Sequence, residues 1–305
     1  MKKKTLTIDI GGTFIKYGLI DEYCQLSLKS KVKTPYKGKE EFLKTLKKIY
    51  LEYKEYGLNG IAISAPGLID VDKGIMVTSG MLTYLEGIHL SEELSQLCDN
   101  IFVTVENDAK AAALCESWKG VAKDADNCVV IVFGSGIGGG VVIGRNVLRG
   151  KDLIAGEFSP LFIDLKKDSY DNFAQVYSTL AIVKKVQDKK NNMTIDGETI
   201  MQLYENNDLD VTEILEEWFV AIAKYCFNID NILNPDCICI GGGISQNPLF
   251  VKKINEAIED ISKNAFVFKK PVVKTCKYYN DSNLIGAYYT FLQLMERKKD
   301  VLNDN

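Results

Sequence analysis

Two stretches of this chain share one pattern, and that repetition limits its possible folds more than any other feature. Ile8-Asp9-Ile10-Gly11-Gly12-Thr13-Phe14-Ile15-Lys16 reads as an apolar strand, a glycine turn carrying a hydroxyl, and an apolar strand leading away. Ile131-Val132-Phe133-Gly134-Ser135-Gly136-Ile137, continued by Gly138-Gly139-Gly140-Val141-Val142-Ile143, repeats it. The two units begin about 120 residues apart, too far for a solenoid repeat and suited to a duplicated domain. The length of 305 residues allows about two domains, and 46% hydrophobic residues are enough to fill two cores.

Each turn suits a phosphate chain. Glycine has no Cβ, so the backbone N–H groups at Gly11 and Gly12, or at Gly134 and Gly136, can approach a polyphosphate closely. Thr13, Ser135 and the Lys16 ammonium add donors. Asp9 is suited to hold a hydrated Mg2+, and it has no counterpart in the second unit, where Phe133 precedes the turn. One Asp-x-Gly-Gly segment alone equally describes a hairpin turn. A matched pair with a single metal-facing carboxylate points instead to two loops gripping ATP between two lobes.

Composition excludes several other classes. A formal charge of −4 argues against a nucleic-acid binder, which would carry a basic face. No apolar run is long enough to span a bilayer, and Asp9 with the glycines after it interrupts any signal-peptide core, so a cytoplasmic location is expected. The eight cysteines include no Cys-x-x-Cys pair; Cys237 and Cys239, two apart on one face of a predicted strand, read as buried free thiols. The one histidine, His89, rules out a multi-histidine metal site and leaves a carboxylate as the general base. His89 itself reads as a solvated residue at a helix start, with Ser91 as the cap.

Along the chain, strands and helices alternate. Strands over 5–11, 15–21 and 25–33 form a meander, followed by an amphipathic helix over 39–56, a buried-type strand over 60–64 and a Pro66-Gly67 turn. A short helix near 91–97 precedes a strand over 101–105, which runs through Glu106-Asn107-Asp108 into a helix starting at Ala109. After the second glycine turn come helices over 171–189, 197–206 and 211–231, a strand over 237–241, a helix over 248–262, a strand near 272–276 and a last helix over 283–296. The boundaries drawn are 1–118 for the first lobe, joined by 283–305, and 119–282 for the second, with hinges near 117–127 and before the last helix. Asp108 sits at a strand end and a helix start, where an acidic residue is often only a cap. It also sits where α/β folds place their sites, and phosphoryl transfer needs an aspartate to take the attacking hydroxyl's proton.

Five motifs, in order, resemble the ROK family of sugar kinases and sugar-responsive repressors. They are Asp9-Ile10-Gly11-Gly12-Thr13-x-x-Lys16, Glu106-Asn107-Asp108-Ala109-x-Ala111-Ala112, Gly134 to Gly140, Ala155-Gly156-Glu157, and Ile240-Gly241-Gly242-Gly243-Ile244-Ser245 with Asn283-Leu284-Ile285-Gly286-Ala287. The resemblance implies an actin-like ATPase (ribonuclease H-like) α/β fold of two duplicated lobes with a central cleft for ATP and sugar. It implies that Asp9, Gly12 and Thr13 face Mg2+-triphosphate, with Asp9 reaching the metal through water. Ser135 and Gly136 would meet the phosphates from the other lobe, and Gly242 and Gly243 would lie beside the adenosine. Gly67, Asn107, Asp108 and Glu157 would bind the sugar, and Asp108 would draw the proton from a hydroxyl, usually that on C6. A homodimer is implied as well.

The chain departs from the family pattern in two places. Gly156-Glu157-Phe158-Ser159-Pro160 lacks the histidine and the cysteine-rich zinc motif of many members, so no structural zinc is expected, and Phe158, Leu161 and Phe162 are expected to organise the pocket by packing. A second sugar-binding glutamate is missing from Phe173-Ala174-Gln175-Val176-Tyr177-Ser178, where Gln175 is left as a polar contact. These features resemble the zinc-less branch, with β-glucoside, N-acetylmannosamine or glucose as candidate substrates. Only eight residues precede Asp9, which leaves no room there for a DNA-reading helix. The alternatives are a catalytically silent sugar sensor of the same fold and a carboxylate kinase, whose ionised acceptor needs no aspartate base.

Overall fold

The computed structural model describes residues 3–164, 166 and 168–303. The chain forms two compact units: 1–115 with 149–154 and 281–305, and 116–148 with 155–280. The return of 149–154 to the first unit has no counterpart in the sequence pattern.

In the first unit, β1 (Lys4–Ile10), β2 (Phe14–Asp21) and β3 (Leu26–Lys33) form an antiparallel meander. After α1 (Lys39–Tyr53), β4 (Leu58–Ala65) pairs parallel to β1. A small hairpin of β5 (Ile69–Asp70) and β6 (Ile75–Met76) and the helix α2 (Leu90–Leu97) lead to β7 (Val103–Asn107), parallel to β4 and followed by α3 (Asp108–Trp118). The sheet order is β3-β2-β1-β4-β7. β1 and β4 are buried almost throughout, as expected of central strands covered on both faces. β3 is exposed along most of its length and forms an edge. Phe42, Leu46 and Ile49 of α1 fill one side of this core with Leu6, Ile8, Ile61 and Ile63.

The second unit repeats the plan. β8 (Cys128–Phe133), β9 (Ile137–Ile143) and the short β10 (Asn146–Val147) form the meander. Helices α4 (Phe173–Tyr177), α5 (Thr179–Lys190), α6 (Gly197–Glu205) and α7 (Leu209–Leu233) follow. β11 (Cys237–Gly241) lies parallel to β8; after α8 (Pro248–Asn264), β12 (Val273–Thr275) lies parallel to β11. The order β10-β9-β8-β11-β12 matches that of the first sheet strand for strand, with the same directions, so the duplication read from the two glycine turns extends to the whole sheet. Trp218, Phe219, Phe250 and Phe133 form its aromatic core. The last helix, α9 (Ser282–Asn303), belongs to the first unit and packs on β1, β2, β4 and β7.

Three local expectations are corrected. The helix predicted over 171–189 is broken at Ser178, whose extended backbone ends α4 and whose hydroxyl accepts the Ala181 N–H to start α5. α2 begins at Leu90 with His89 at its cap position, so Ser91 lies inside the helix and does not cap it. Of the three residues expected to organise the sugar pocket by packing, Phe158 is buried, but Leu161 and Phe162 are 39% and 64% exposed. His89 is half exposed, 3.8 Å from Glu92. Cys237 and Cys239 are buried on one face of β11, their sulfurs 3.8 Å apart. Cys239 holds the Cys237 thiol down at about 7, while burial pushes Cys128 up to about 12.

Candidate active site

The candidate site residues Asp9, Asn107 and Asp108 of the first unit sit at the carboxyl ends of its parallel strands. In register, Asp9 of β1 lies opposite Ser64 of β4, and Ser64 and Ala65 lie opposite Glu106 and Asn107 of β7. This edge of a parallel sheet is where α/β folds collect ligands.

Asp9 is 6% exposed. Its Oδ1 accepts hydrogen bonds from Ser64 Oγ at 3.1 Å and from Asn283 Nδ2 at 3.0 Å, and Lys16 Nζ stands 4.0 Å from Oδ2. Burial pushes the carboxyl above the usual range, against the pull of Asn283, Lys16 and Ser64. Lys16 faces Asp9 across the β1–β2 ladder, and its ammonium lies at the outer limit of an ion pair on a partly exposed side chain.

The first turn closes through Gly11 N–H to Phe14 O at 3.1 Å. Its carbonyls are held from a distant segment: Thr34 Oγ1 donates to Gly11 O at 2.6 Å, and Tyr36 Oη donates to Gly12 O at 2.5 Å. Among the described residues the N–H groups of Gly12 and Thr13 make no hydrogen bond, which leaves them for a ligand. A single ordered carboxylate beside such a turn fits Mg2+, which keeps most of its waters and shares itself with phosphate oxygens. Among the described residues no cluster of three or more His, Cys, Asp or Glu could hold a metal alone.

Asn107 and Asp108 form a fixed pair. Asn107 Nδ2 donates to Gly67 O at 2.9 Å and to Asp108 Oδ1 at 3.1 Å, while its Oδ1 accepts the Lys110 N–H at 2.8 Å. Asp108 Oδ1 also accepts the Ala109 N–H at 2.8 Å, so the carboxylate sits at the positive end of α3. Gly67, Asn107 and Asp108 therefore meet at one place, and Asp9 lies at the end of the same sheet.

In the second unit, Gly134 N–H closes the other turn on Gly136 O at 2.9 Å, and Leu180 N–H donates to Gly134 O at 3.2 Å. Ser159 Oγ accepts the Ile137 N–H and donates to Ile137 O, tying the segment after Glu157 to this turn. Glu157 is half-buried. Gln175, expected as a polar contact, enters a capping box at the start of α4: its Oε1 accepts the Asn172 N–H at 3.1 Å while its own N–H donates to Asn172 Oδ1 at 2.9 Å.

A cavity of about 950 Å³ opens beside Gly134 and Ser135, lined further by Thr179, Glu198, Gln202 and Gly243. That volume lies within the range of small-molecule sites. A Cβ at Gly134 or Gly243 would meet open space, so packing does not dictate glycine there. Gly242 is different. At φ +96° its Cβ would lie 2.0 Å from Phe133 O, so it is demanded by the close approach of β8 and β11. Thr179 Oγ1, on the cavity wall, is buried and has no hydrogen-bond partner among the described residues. Nothing in the residue pattern singles out Thr34, Tyr36 or Ser64, because each acts through a contact made only in the folded chain; Asn283 falls within one of the five motifs, but its bond to Asp9 is equally a product of folding.

Known proteins share both sequence and fold with this one. The ROK family model matches residues 5–294. The beta-glucoside kinase of Listeria monocytogenes serovar 1/2a is 27% identical over 297 residues, covering 95% of this chain and 98% of that protein. The crystal structure of a ROK family protein from Streptococcus pneumoniae TIGR4, in complex with sucrose, aligns with a TM-score of 0.88 at 30% identity over 96% of this chain and 99% of that one. A ROK family glucokinase from Streptomyces griseus, in complex with glucose and AMPPNP, shares the fold at a TM-score of 0.81 and 22% identity, covering 93% of this chain and 97% of that one. No described helix is long and apolar enough to cross a membrane. Duplicated sheets of identical order, glycine turns at the matching place in each, and relatives aligned from end to end lead to one conclusion: the fold is that of the actin-like ATPases, and the chain belongs to the ROK family.

Proposed function

We propose that this protein is an ATP-dependent sugar kinase that phosphorylates a hexose or hexose derivative at its C6 hydroxyl. The observation that carries the reading is the Asn107–Asp108 pair at the end of β7, held against Gly67 on the same sheet that ends in Asp9. Asn107 keeps one lone pair of Asp108 Oδ1 engaged and fixes the carboxylate at the N-terminus of α3. Asp108 is then the base that accepts the proton as the sugar oxygen attacks the γ-phosphate. Gly67, Asn107 and Glu157 bind the sugar hydroxyls in this reading. Gly11, Gly12, Thr13 and Lys16 from one turn and Gly134, Ser135 and Gly136 from the other bind phosphates, and the cavity by Gly243 takes the adenosine. Asp9 would hold Mg2+ through water, and the bound ion would neutralise charge on the transferring phosphate. Candidate sugars are β-glucosides, N-acetylmannosamine and glucose, supported by the names of the relatives and by the departures at Pro160 and Ala174. A homodimer in the cytoplasm accompanies the reading, on the family resemblance alone.

The test is ADP release with glucose, N-acetylmannosamine, N-acetylglucosamine, fructose, cellobiose and aryl β-glucosides, for the parent and Asp108→Asn. Turnover with one sugar, reduced about 10²–10⁴-fold in the variant, is the expected result. ATP and sugar binding without turnover would establish a silent sensor instead.

A further inference from the structure

Among the fully buried carboxylates that the mechanism leaves unused, that of Glu106 stands immediately before the proposed sugar-binding and catalytic pair. Glu106 is 0% exposed. Arg149 meets it with both arms of its guanidinium, Nη1 to Oε1 at 2.8 Å and Nη2 to Oε2 at 2.6 Å. Oε1 also accepts the Asn107 backbone N–H at 2.8 Å, and Oε2 accepts Thr290 Oγ1–H from α9 at 3.1 Å. These bonds link up in a line: Arg149 fixes the Glu106 carboxylate, the carboxylate fixes the Asn107 backbone, and the Asn107 amide fixes Gly67 and Asp108. Burial alone would lower the Arg149 pKa, but Glu106 reverses this and raises it, with Asp72 and Asp70 adding to the field.

The position of Arg149 in the chain adds to the argument. Residues 149–154 leave the second unit, pack with the first, and return at Ala155. Arg149 opens this strap, and the chain runs directly from the strap into Gly156 and Glu157. The ion pair therefore anchors, at its start, the segment that leads to the proposed sugar-binding glutamate. A bidentate guanidinium is suited to this task because it fixes the carboxylate in both distance and plane, which a lysine ammonium cannot do.

We propose that Arg149 is a positioning residue for phosphoryl transfer, setting Asn107 and Asp108 through Glu106. The inference rests on the sugar-kinase reading. It predicts a loss in kcat beyond any loss of folded protein. Without Arg149 the buried Glu106 carboxylate lacks both its counterion and the fork that fixes its plane, so the Asn107 N–H loses a fixed acceptor.

The test compares the parent, Arg149→Lys, Arg149→Met and the double variant Arg149→Met/Glu106→Gln. The sugar is the panel member that gives the parent its highest turnover. Melting temperature and sugar binding by calorimetry are measured alongside kcat and KM. Arg149→Met should lower kcat about 10²-fold, more than it raises the KM for ATP. The double variant should be no slower than Arg149→Met, because both residues act through one line of bonds. Arg149→Lys, which keeps the charge without the fork, should recover about tenfold of that loss. A kcat equal to the parent's in Arg149→Lys and Arg149→Met, with only a lower melting temperature, would overturn the proposal and leave the kinase reading standing. If Arg149→Met does not fold, a kcat in Arg149→Lys equal to the parent's with only a lower melting temperature would overturn it. A parent that neither turns over nor binds any sugar of the panel overturns both.

Discussion

Replacing Gly286 by alanine sets two physical effects against each other. In an ordinary helix interior the change stabilises by about 1 kcal/mol through helix propensity. Gly286 lies where α9 crosses α3, and a Cβ built there would be 1.8 Å from the Ala111 carbonyl oxygen, 2.4 Å from its carbon and 2.8 Å from its Cα. All three are backbone atoms, so no side-chain rotation relieves the contact. Ordinary contact begins at 3.4 Å, so the helices must part by about 1.6 Å. That movement carries Asn283 off Asp9, now 3.0 Å away, and Thr290 off Glu106, now 3.1 Å away. Overpacking costs about 1–3 kcal/mol and each hydrogen bond to a charged group about 1.5–3 kcal/mol. The low ends of those ranges, less the propensity gain, leave a net loss of about 3 kcal/mol. Hydrogen exchange in a urea series reads this directly: peptides of β1 and β4 should lose protection, with those of β8 and β11 as the internal reference. Gly197→Ala is the control, since its Cβ would make only a 3.4 Å contact with Thr179 Cγ2. A Gly286→Ala protein within about 0.5 kcal/mol of its parent, or more stable, would refute the reasoning.

Three further predictions are tested by simpler measurements. Lys190 stands 2.7 Å from Asp208 and 2.8 Å from Asp210, and its contact holds both carboxyls below the usual range. Depressed carboxylates contribute stability above their unfolded pKa of about 3.9 and lose it as pH falls through the folded value, so Lys190→Met should melt lower than the parent at pH 7 and equal to it at about pH 2. Thr179→Val removes a buried hydroxyl that has no partner among the described residues; its melting temperature should hold or rise, while the KM for ATP rises about fivefold if the nucleoside bonds there, as a coupled assay would show. Asn283→Ala deletes a hydrogen bond to Asp9 and should raise the KM for Mg2+-ATP about tenfold with the sugar KM unchanged, read from a Mg2+-ATP titration.

The parts of the fold visible in the sequence are those with a local signal. The apolar runs around Asp9 and Phe133 announce buried strands, the glycines between them announce turns, and their recurrence announces the duplication. Asn107 and Asp108 could be singled out because a strand end followed by an alanine-rich helix is itself a local pattern. The break at Ser178 was not legible, because the apolar spacing of Phe173, Tyr177, Ile182 and Val186 continues through it, and only the cap chemistry interrupts the helix. Gln175 looked available for a ligand because the sequence does not show that Asn172 claims it first. The pairing of Glu106 with Arg149 was beyond reach for another reason. It joins residues 43 apart through a segment with no periodicity, and an arginine before a glycine reads as an ordinary surface residue.

The chain passes between its two units four times, and the last passage delivers α9. That order matters during synthesis. When residues 1–115 have left the ribosome, the face of their sheet that α9 will cover is still bare, including the place where the Phe291 ring will pack, tilted, against Phe102. About 170 residues must be translated before α9 arrives, which at 5–20 residues per second takes on the order of 10–30 s. The second unit is assembled from residues 116–148 and 155–280, all made before that helix, and can close first. The half made earliest is therefore finished last, and for that interval it presents an apolar sheet that a chaperone would be expected to hold.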